Sequence, residues 1–484
     1  MKRQIHRDKT NCIEGIAKEA EEAANMQHMK TFYNLTKTIY NDKPRQSTVV
    51  NNRNGNALTS DEDRRKWWRE HLMETLNREE PAYTINEEHC EQQDIADIDT
   101  GPVSKAEIRR PIKSLKNGKA PGEDTITAEL LKADLKFTTD IAKELIDTIW
   151  SLEKVPCKWK RGLIIKIPKK GNLRECKNWR GVTLLPAVRK ILGRIVIDCI
   201  HMGIDHRLCK EQAGFRCCKG TTEQIFIYIN FVVFERAFDS VHRNSLWMIM
   251  NQYGIPQKIN NVVKALYDGF ECAVVEEEAT SEWFELMTGV KQGCRMSGFL
   301  FLFIIDWVMR HTVKEEGTGL RWKFTSKLED LDFADDVALI SSTQGHMQLK
   351  TNRLVENAER TGLRVNVGKC KVMRVNARNN EAITANGLAL EDVEKFIYLG
   401  ATVCKQGGRE EGIKARLGKA REAFVKLNRV WNSSSVSRET KIRLYKTLVK
   451  PVLMYGCETW KMNKGDAKKI DVFQNRCLRR INKD

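Results

Sequence analysis

Leu328-Glu329-Asp330-Leu331-Asp332-Phe333-Ala334-Asp335-Asp336-Val337-Ala338-Leu339-Ile340-Ser341 is the stretch on which the fold turns. Short apolar flanks rich in strand-forming residues enclose a central Ala-Asp-Asp, the pattern of a β-hairpin with an acidic turn. Asp is common in turns because its side chain bonds its own backbone, so a solvated turn is the plainer account of the pair. Against it stands the apolar weight of the flanks. Two adjacent anions held on a buried sheet repel each other unless a cation lies between them. Oxygen-only ligands suit Mg2+, which binds through one or two carboxylates and completes its shell with water or substrate phosphates. Asp335 and Asp336 are therefore the candidate metal ligands.

The chain has 484 residues, enough for several compact units, and its 41% hydrophobic content supports real cores. With 82 Lys and Arg against 64 Asp and Glu, its formal charge of +18 favours a polyanionic partner. The longest apolar run, Phe299 to Met309, is too short to span a bilayer and contains Asp306, so no membrane partner is expected. No apolar stretch follows the basic N-terminus, which excludes a secretory signal and predicts an intracellular protein of nucleus or cytoplasm. The 14 cysteines show no paired zinc spacing and read as reduced, mostly buried thiols.

Along the chain, Glu14 to Lys43 and Asp61 to Leu76 have helical spacing, with the Asn- and Gly-rich Val49 to Thr59 as a loop between them. The cation and aromatic cluster Arg64-Arg65-Lys66-Trp67-Trp68-Arg69 reads as one face of an amphipathic helix rather than a base-stacking platform. Ser104-Lys105-Ala106-Glu107 has the capping-box form, and Pro111 is expected to kink the helix it opens at a cost of roughly 3 kcal/mol. Leu163 to Pro168 reads as a strand, followed by Lys169-Lys170-Gly171 and by Asn178-Trp179-Arg180-Gly181-Val182-Thr183-Leu184-Leu185. Cations on such a strand-turn-strand can hold a triphosphate or be a solvated turn, and spacing leaves the two open. A helix is predicted over Leu354 to Gly362 and a strand over Leu363 to Val372. From Gly408 to Lys450, 12 Lys and Arg stand against 4 Asp and Glu on helical sequence. Its apolar stripe is Ile413, Leu417, Ala420, Phe424 and Leu427, which turns the cations outward.

Phe333-Ala334-Asp335-Asp336, Gln212-Ala213-Gly214-Phe215-Arg216, Gly220-Thr221-Thr222-Glu223-Gln224, Phe231-Val232-Val233-Phe234-Glu235-Arg236-Ala237-Phe238-Asp239, Trp283 to Cys294 and Pro451 to Trp460 occur in one order. That ordered set resembles the reverse transcriptases of non-LTR (LINE-like) retrotransposons, and the resemblance covers about Pro102 to Arg480. It implies an α+β right-hand polymerase: a helical N-terminal extension over 1–100, fingers and an antiparallel palm sheet over 101–404, and a basic helical thumb over 405–484. It implies RNA-directed DNA synthesis, with an RNA template, a DNA primer, deoxynucleoside triphosphates and Mg2+ as partners. Nucleotide contacts fall by resemblance on Lys169 or Lys170, Arg180, Phe238, Gln292, Gly293 and Lys369 or Lys371. Phe238 would pack under the sugar and exclude a 2′-hydroxyl, although a core aromatic after a strand would look the same. Phe396 to Gly400 looks like the strand that grips the primer. The chain also reads as a piece of a longer element protein.

The sequence departs from the family in three places. The helix that separates the Gln224 block from the following strand is missing. More important, Val233 stands where the family has its first metal-binding aspartate. Two-ion phosphoryl transfer needs that carboxylate, since it and Asp335 hold ions about 3.5–4 Å apart. Glu235 lies two residues on, roughly 6–7 Å along the strand, and Asp239 lies beyond the turn. Neither replaces it, and turnover is expected to fall by several orders of magnitude. Gly298, where the family has proline, loosens the start of the next helix. A remnant that binds nucleic acid without copying it is the alternative function.

Overall fold

The computed structural model describes residues 12, 14–23, 26, 28, 31–32, 34–35, 49–85, 94–169, 171–208, 228–276, 279–291, 295–313, 318–323, 326–375, 381–399, 401–405, 409–457, 460 and 462–482. The chain divides into two compact units, one of residues 48–220 and 226–393, the other of 1–47, 221–225 and 394–484. The expected extension of 1–100 is thus divided between them.

In the larger unit the principal elements in chain order are α1 (Asp61–Leu76), α2 (Lys105–Ser114), α3 (Leu135–Leu152), β1 (Arg161–Pro168), β2 (Trp179–Leu184), α4 (Ala187–Ile204), β3 (Tyr228–Val233), β4 (Glu271–Glu276), α5 (Arg295–Thr312), β5 (Asp330–Phe333), β6 (Asp336–Ser341), α6 (Gln344–Arg360), β7 (Lys371–Arg374) and β8 (Glu391–Asp392). The mixed helix and sheet composition agrees with an α+β chain. Two five-stranded sheets result. The first has the order β5-β6-β3-β7-β8, antiparallel throughout except for the parallel pair β7 and β8 at its edge. The second centres on β1, which pairs antiparallel with β2 and parallel with β4.

One face of the first sheet packs on helices, and the alternation of its strands chooses that face. Val232, Val337 and Leu339 enter the main core, where Leu354, Val355 and Ala358 of α6 and Leu300 and Ile304 of α5 meet them. On the same face the buried Asn230 amide donates to the Thr351 hydroxyl of α6 at 3.0 Å. The opposite face carries Phe231, Val233, Asp336 and Ala338, because cross-strand partners share a face. Helix start signals hold. Ser104 and Glu107 form a complete capping box, and Thr343 caps α6 through the His346 amide. Pro111 lies inside α2, which runs on to Ser114.

Four local expectations need correcting. Val49 to Thr59 is a small hairpin rather than a loop: Val50–Asn51 pairs with Ala57–Leu58, and the Asn52 side chain accepts from the Asn54 and Asn56 amides. α6 begins at Gln344, ten residues before the apolar periodicity suggests. Leu363 to Cys370 is not strand except for a bridge from Val365 to Phe234. Asn366 takes over that segment, its carbonyl accepting from the Lys369 and Cys370 amides, which is the turn chemistry that competes with a ladder. Trp68 and Arg64 of α1 are buried, so the aromatic and basic cluster is a packed face. Among the described cysteines, Cys176, Cys272, Cys370 and Cys477 are buried and the rest half-buried or exposed, so "mostly buried" overstated them. The expected block Gln212 to Gln224 and its shortened spacer lie outside the described residues.

The smaller unit has its own core. The predicted stripe Ile413, Leu417, Ala420, Phe424 and Leu427 on α7 (Arg409–Lys426) is buried throughout, together with Trp431, Leu444, Phe473 of α8 (Lys464–Asn482), and Ala17, Ala20 and Phe32 near the N-terminus. The Glu14 carboxylate accepts from the Ser433 and Ser435 hydroxyls at 2.8 and 2.7 Å, and these bonds hold it below the usual carboxylate range. Lys395–Tyr398 and Ala401–Cys404 form a separate antiparallel pair in this unit. Among the described residues, no helix is long and apolar enough to cross a membrane.

Candidate active site

The hairpin β5–β6 closes with Phe333 opposite Asp336, which leaves Ala334 and Asp335 as a two-residue turn. A turn this tight needs a left-handed residue, and Ala334 supplies it at φ +59°. A Cβ in that region costs about 1–2 kcal/mol, strain held in place by the buried strands on either side. Ala334→Gly is therefore expected to stabilise the chain by about 1 kcal/mol, read as a higher urea midpoint at unchanged slope. An unchanged or lower midpoint would mean that the turn is not strained.

The turn places Asp335 and Asp336 side by side and exposed. Partial desolvation of the carboxyl against the sheet, and then the charge of Asp335, push the Asp336 carboxyl up. β6 lies against β3 in a register that sets Asp336 directly opposite Val233, so their Cβ atoms are about 4.5–5.5 Å apart on one face. A cavity opens there, lined by Val233 and Asp335 together with Arg236, Phe238 and Asp239 from the turn after β3. Its other walls include Lys169 just after β1, Arg180 of β2, Lys369 from the Asn366 turn, and Thr288 to Lys291.

The floor of this cavity is built from backbone. The Gly289 and Val290 amides donate to the Val241 and Phe238 carbonyls at 2.8 and 2.7 Å. Gly289 sits at φ +78°, and a Cβ there would lie 2.6 Å from the Asp239 carbonyl oxygen, so only glycine fits. The Phe238 ring stacks on Phe301 at 4.4 Å and 21°, which fixes its pose at the cavity wall. Lys291 is buried, its ammonium over the Phe270 ring. The Asp239 carboxyl is pushed up to about 6 by burial, against the pull of Arg236, Lys169, Arg180 and Arg78. Burial, followed by the charges of Arg236, Arg180 and Lys369, lowers the Lys169 ammonium below the usual lysine range.

The sequence-predicted residues therefore come together in part. Asp335, Val233, Lys169, Arg180, Phe238 and Lys369 share the cavity, with Asp336 at its edge beside Asp335. Lys371 is not among the lining residues; it pairs with Glu391 of β8 on the neighbouring strand. Lys170, Gln292 and Gly293 lie outside the described residues. Sequence reasoning did not single out Arg236 as a cavity residue, and it considered Asp239 only as a replacement ligand. The signal available was a cation and an anion bracketing an apolar pair, Arg236-Ala237-Phe238-Asp239.

Do these groups suit Mg2+? Asp335 and Asp336 offer a foothold for one ion that completes its shell with water or phosphate. They do not suit a pair of ions. Residue 233, directly opposite Asp336, presents an isopropyl group, and Glu235 faces Arg78 at 3.8 Å with its amide bonded to the Arg364 carbonyl. Among the described residues, no group of three or more His, Cys, Asp and Glu could hold a metal.

Residues 167–403 match the family described as reverse transcriptase (RNA-dependent DNA polymerase), and 423–455 match a domain of unknown function. The chain is 24% identical over 409 residues to the RNA-directed DNA polymerase from mobile element jockey of Drosophila funebris, covering 78% of this chain and 44% of that protein. It is 24% identical over 433 residues to the jockey polymerase of Drosophila melanogaster, covering 82% and 45%. It is 23% identical over 403 residues to the retrovirus-related Pol polyprotein from type-1 retrotransposable element R2 of Popillia japonica, covering 78% and 55%. The chain thus spans about half the length of the curated relatives it matches. An apo telomerase from Candida Tropicalis, truncated of its C-terminal domain, superposes with a TM-score of 0.36 at 15% identity, covering 55% of this chain and 59% of that one, a likeness too loose to bear on the fold.

Proposed function

We propose, on the premise that this chain carries the reverse transcriptase domain of a non-LTR retrotransposon, that it holds a template, a primer and a deoxynucleoside triphosphate but copies RNA very poorly. The first sheet is the palm, β1 and β2 belong to the fingers, and the basic helices after residue 405 are the thumb. Lys169 and Arg180 bind the triphosphate, and Phe238, braced by Phe301, lies under the sugar where a 2′-hydroxyl would clash. Bound divalent ions would supply Lewis-acid activation of the primer hydroxyl and relief of charge on the leaving pyrophosphate. The residues present hold at most one such ion weakly, so the chain positions its substrates and stops there.

The observation that carries this reading is the strand register that puts Val233 opposite Asp336. A carboxylate at that point would share an ion with Asp335; an aliphatic group cannot. With magnesium, a primed RNA template and all four deoxynucleotides, the unmodified chain is expected to extend no primer above a protein-free control. In filter binding, the same preparation should retain the primed template. Its affinity should fall steeply with salt, as a surface rich in exposed Lys and Arg requires. Brisk synthesis would defeat the impaired reading, and absence of retention at low salt would defeat the binding reading.

A further inference from the structure

We infer that the cavity beside the hairpin binds the phosphate chain of a nucleotide without any divalent ion. This deepens the reading of the cavity as a nucleotide site and rests on it. In a polymerase with a full set of acids, the carboxylates at the palm make the site repel a polyphosphate until metal ions neutralise both. Here the balance is different. Lys169, Arg180, Arg236 and Lys369 line one cavity, and among the described residues none of the four takes part in an ion pair. The acids that share the lining are Asp335 and Asp239, two carboxylates against those four cations.

Cations packed this closely cost one another free energy: the Lys169 ammonium is lowered first by burial and then by the charges of Arg236, Arg180 and Lys369. An anion entering among them removes that cost and gains charge-assisted hydrogen bonds, in which two of the donors are planar guanidinium forks suited to phosphate oxygens. The other two cations of the lining are already committed. Lys166 pairs with Glu276, and Lys291 lies over the Phe270 ring. The valine at 233 thus does more than remove a metal ligand: it takes one negative charge out of the wall of an anion site.

Calorimetric titration of the full chain with dTTP, and separately with inorganic tripolyphosphate, tests this in excess EDTA at pH 7. The unmodified chain is expected to bind both. Val233→Asp is expected to bind at least about tenfold more weakly in EDTA, since a charge restored at several ångströms is worth more than about 1.4 kcal/mol at an effective dielectric of 20, and to recover with magnesium. Arg236→Gln, which leaves the sheet untouched, should lose at least about fivefold in EDTA. If the unmodified chain binds dTTP only with magnesium, the inference is overturned while the nucleotide-site reading stands. If neither chain binds under any condition, both fall. Binding in EDTA that Arg236→Gln leaves unchanged places the anion elsewhere on the surface and also overturns the inference.

Discussion

Val233→Asp is expected to raise magnesium-dependent primer extension on an RNA template by roughly 10²–10³-fold, the scale lost when one stabiliser of transition-state charge is removed from an active site. The expectation follows from position. Because Asp336 and residue 233 are direct cross-strand partners, a carboxylate there lies within about 5 Å of the hairpin acids, close enough to share an ion with Asp335. The side chain already borders the cavity and is partly solvent-accessible, so a charge introduced there need not be buried in the core. Val233→Asn controls for shape: it has the size of aspartate but carries no charge, and it should not rescue. The readout is the initial rate of extension, with hybrid retention measured in parallel to show that grip is unchanged. A folded Val233→Asp chain that binds hybrid yet gains nothing would remove position 233 as the cause. The fault would then lie with the shortened spacer before Ile227.

How far the sequence could be read depends on whether a feature is local. The acidic hairpin was legible because its signal lies within fourteen consecutive residues, and the structure gives the two-residue turn that the pattern requires. The α7 stripe was legible for the same reason, and each of its five positions is buried. What sequence could not supply was the set of distant pairings that builds the cavity. Lys369 and Lys371 are two residues apart and chemically alike, and only the turn at Asn366 and the strand β8 decide that the first reaches the cavity and the second pairs with Glu391. The Asn366 turn also overrode the apolar alternation of Leu363 to Val367, because the Asn366 side chain accepts from the Lys369 amide at 3.2 Å, a local bond that competes with the ladder. Arg236 was hidden by its place in a block whose reading turned on Val233 three residues earlier.

Nor did the sequence expose the group that holds the hairpin down, whose removal should be the costliest single change to stability. Lys350 of α6 is 2% exposed, and its ammonium donates to the Ile340 and Glu329 carbonyls at 2.6 and 3.2 Å and to the Glu329 carboxylate. The Thr318 hydroxyl donates to the same carboxylate at 2.8 Å. One ammonium thus ties the entry of β5 and the far end of β6 to the helix beneath them. Burial drives the Glu329 carboxyl up, but the hydrogen bond and charge of Lys350, together with hydrogen bonds from the Gly319 amide and the Thr318 hydroxyl, hold the group below the usual range. Lys350→Met leaves that carboxylate without its counterion and the Ile340 carbonyl without this donor, at an expected cost of about 3–5 kcal/mol. Urea unfolding at pH 7 should show the loss, and amide exchange across residues 330–341 should show that it opens at the hairpin. The sign of its pH dependence is fixed. Without Lys350 the folded Glu329 titrates above its unfolded value of about 4.3. The folded state then binds more protons than the unfolded one between those values, so the deficit shrinks as pH falls from 7 toward 5. Glu329→Gln added to Lys350→Met should recover much of the loss at pH 7, because the stranded charge is gone. A single-mutant loss below about 1 kcal/mol, or one that deepens on acidification, would mean that the pair is not what anchors the acidic hairpin.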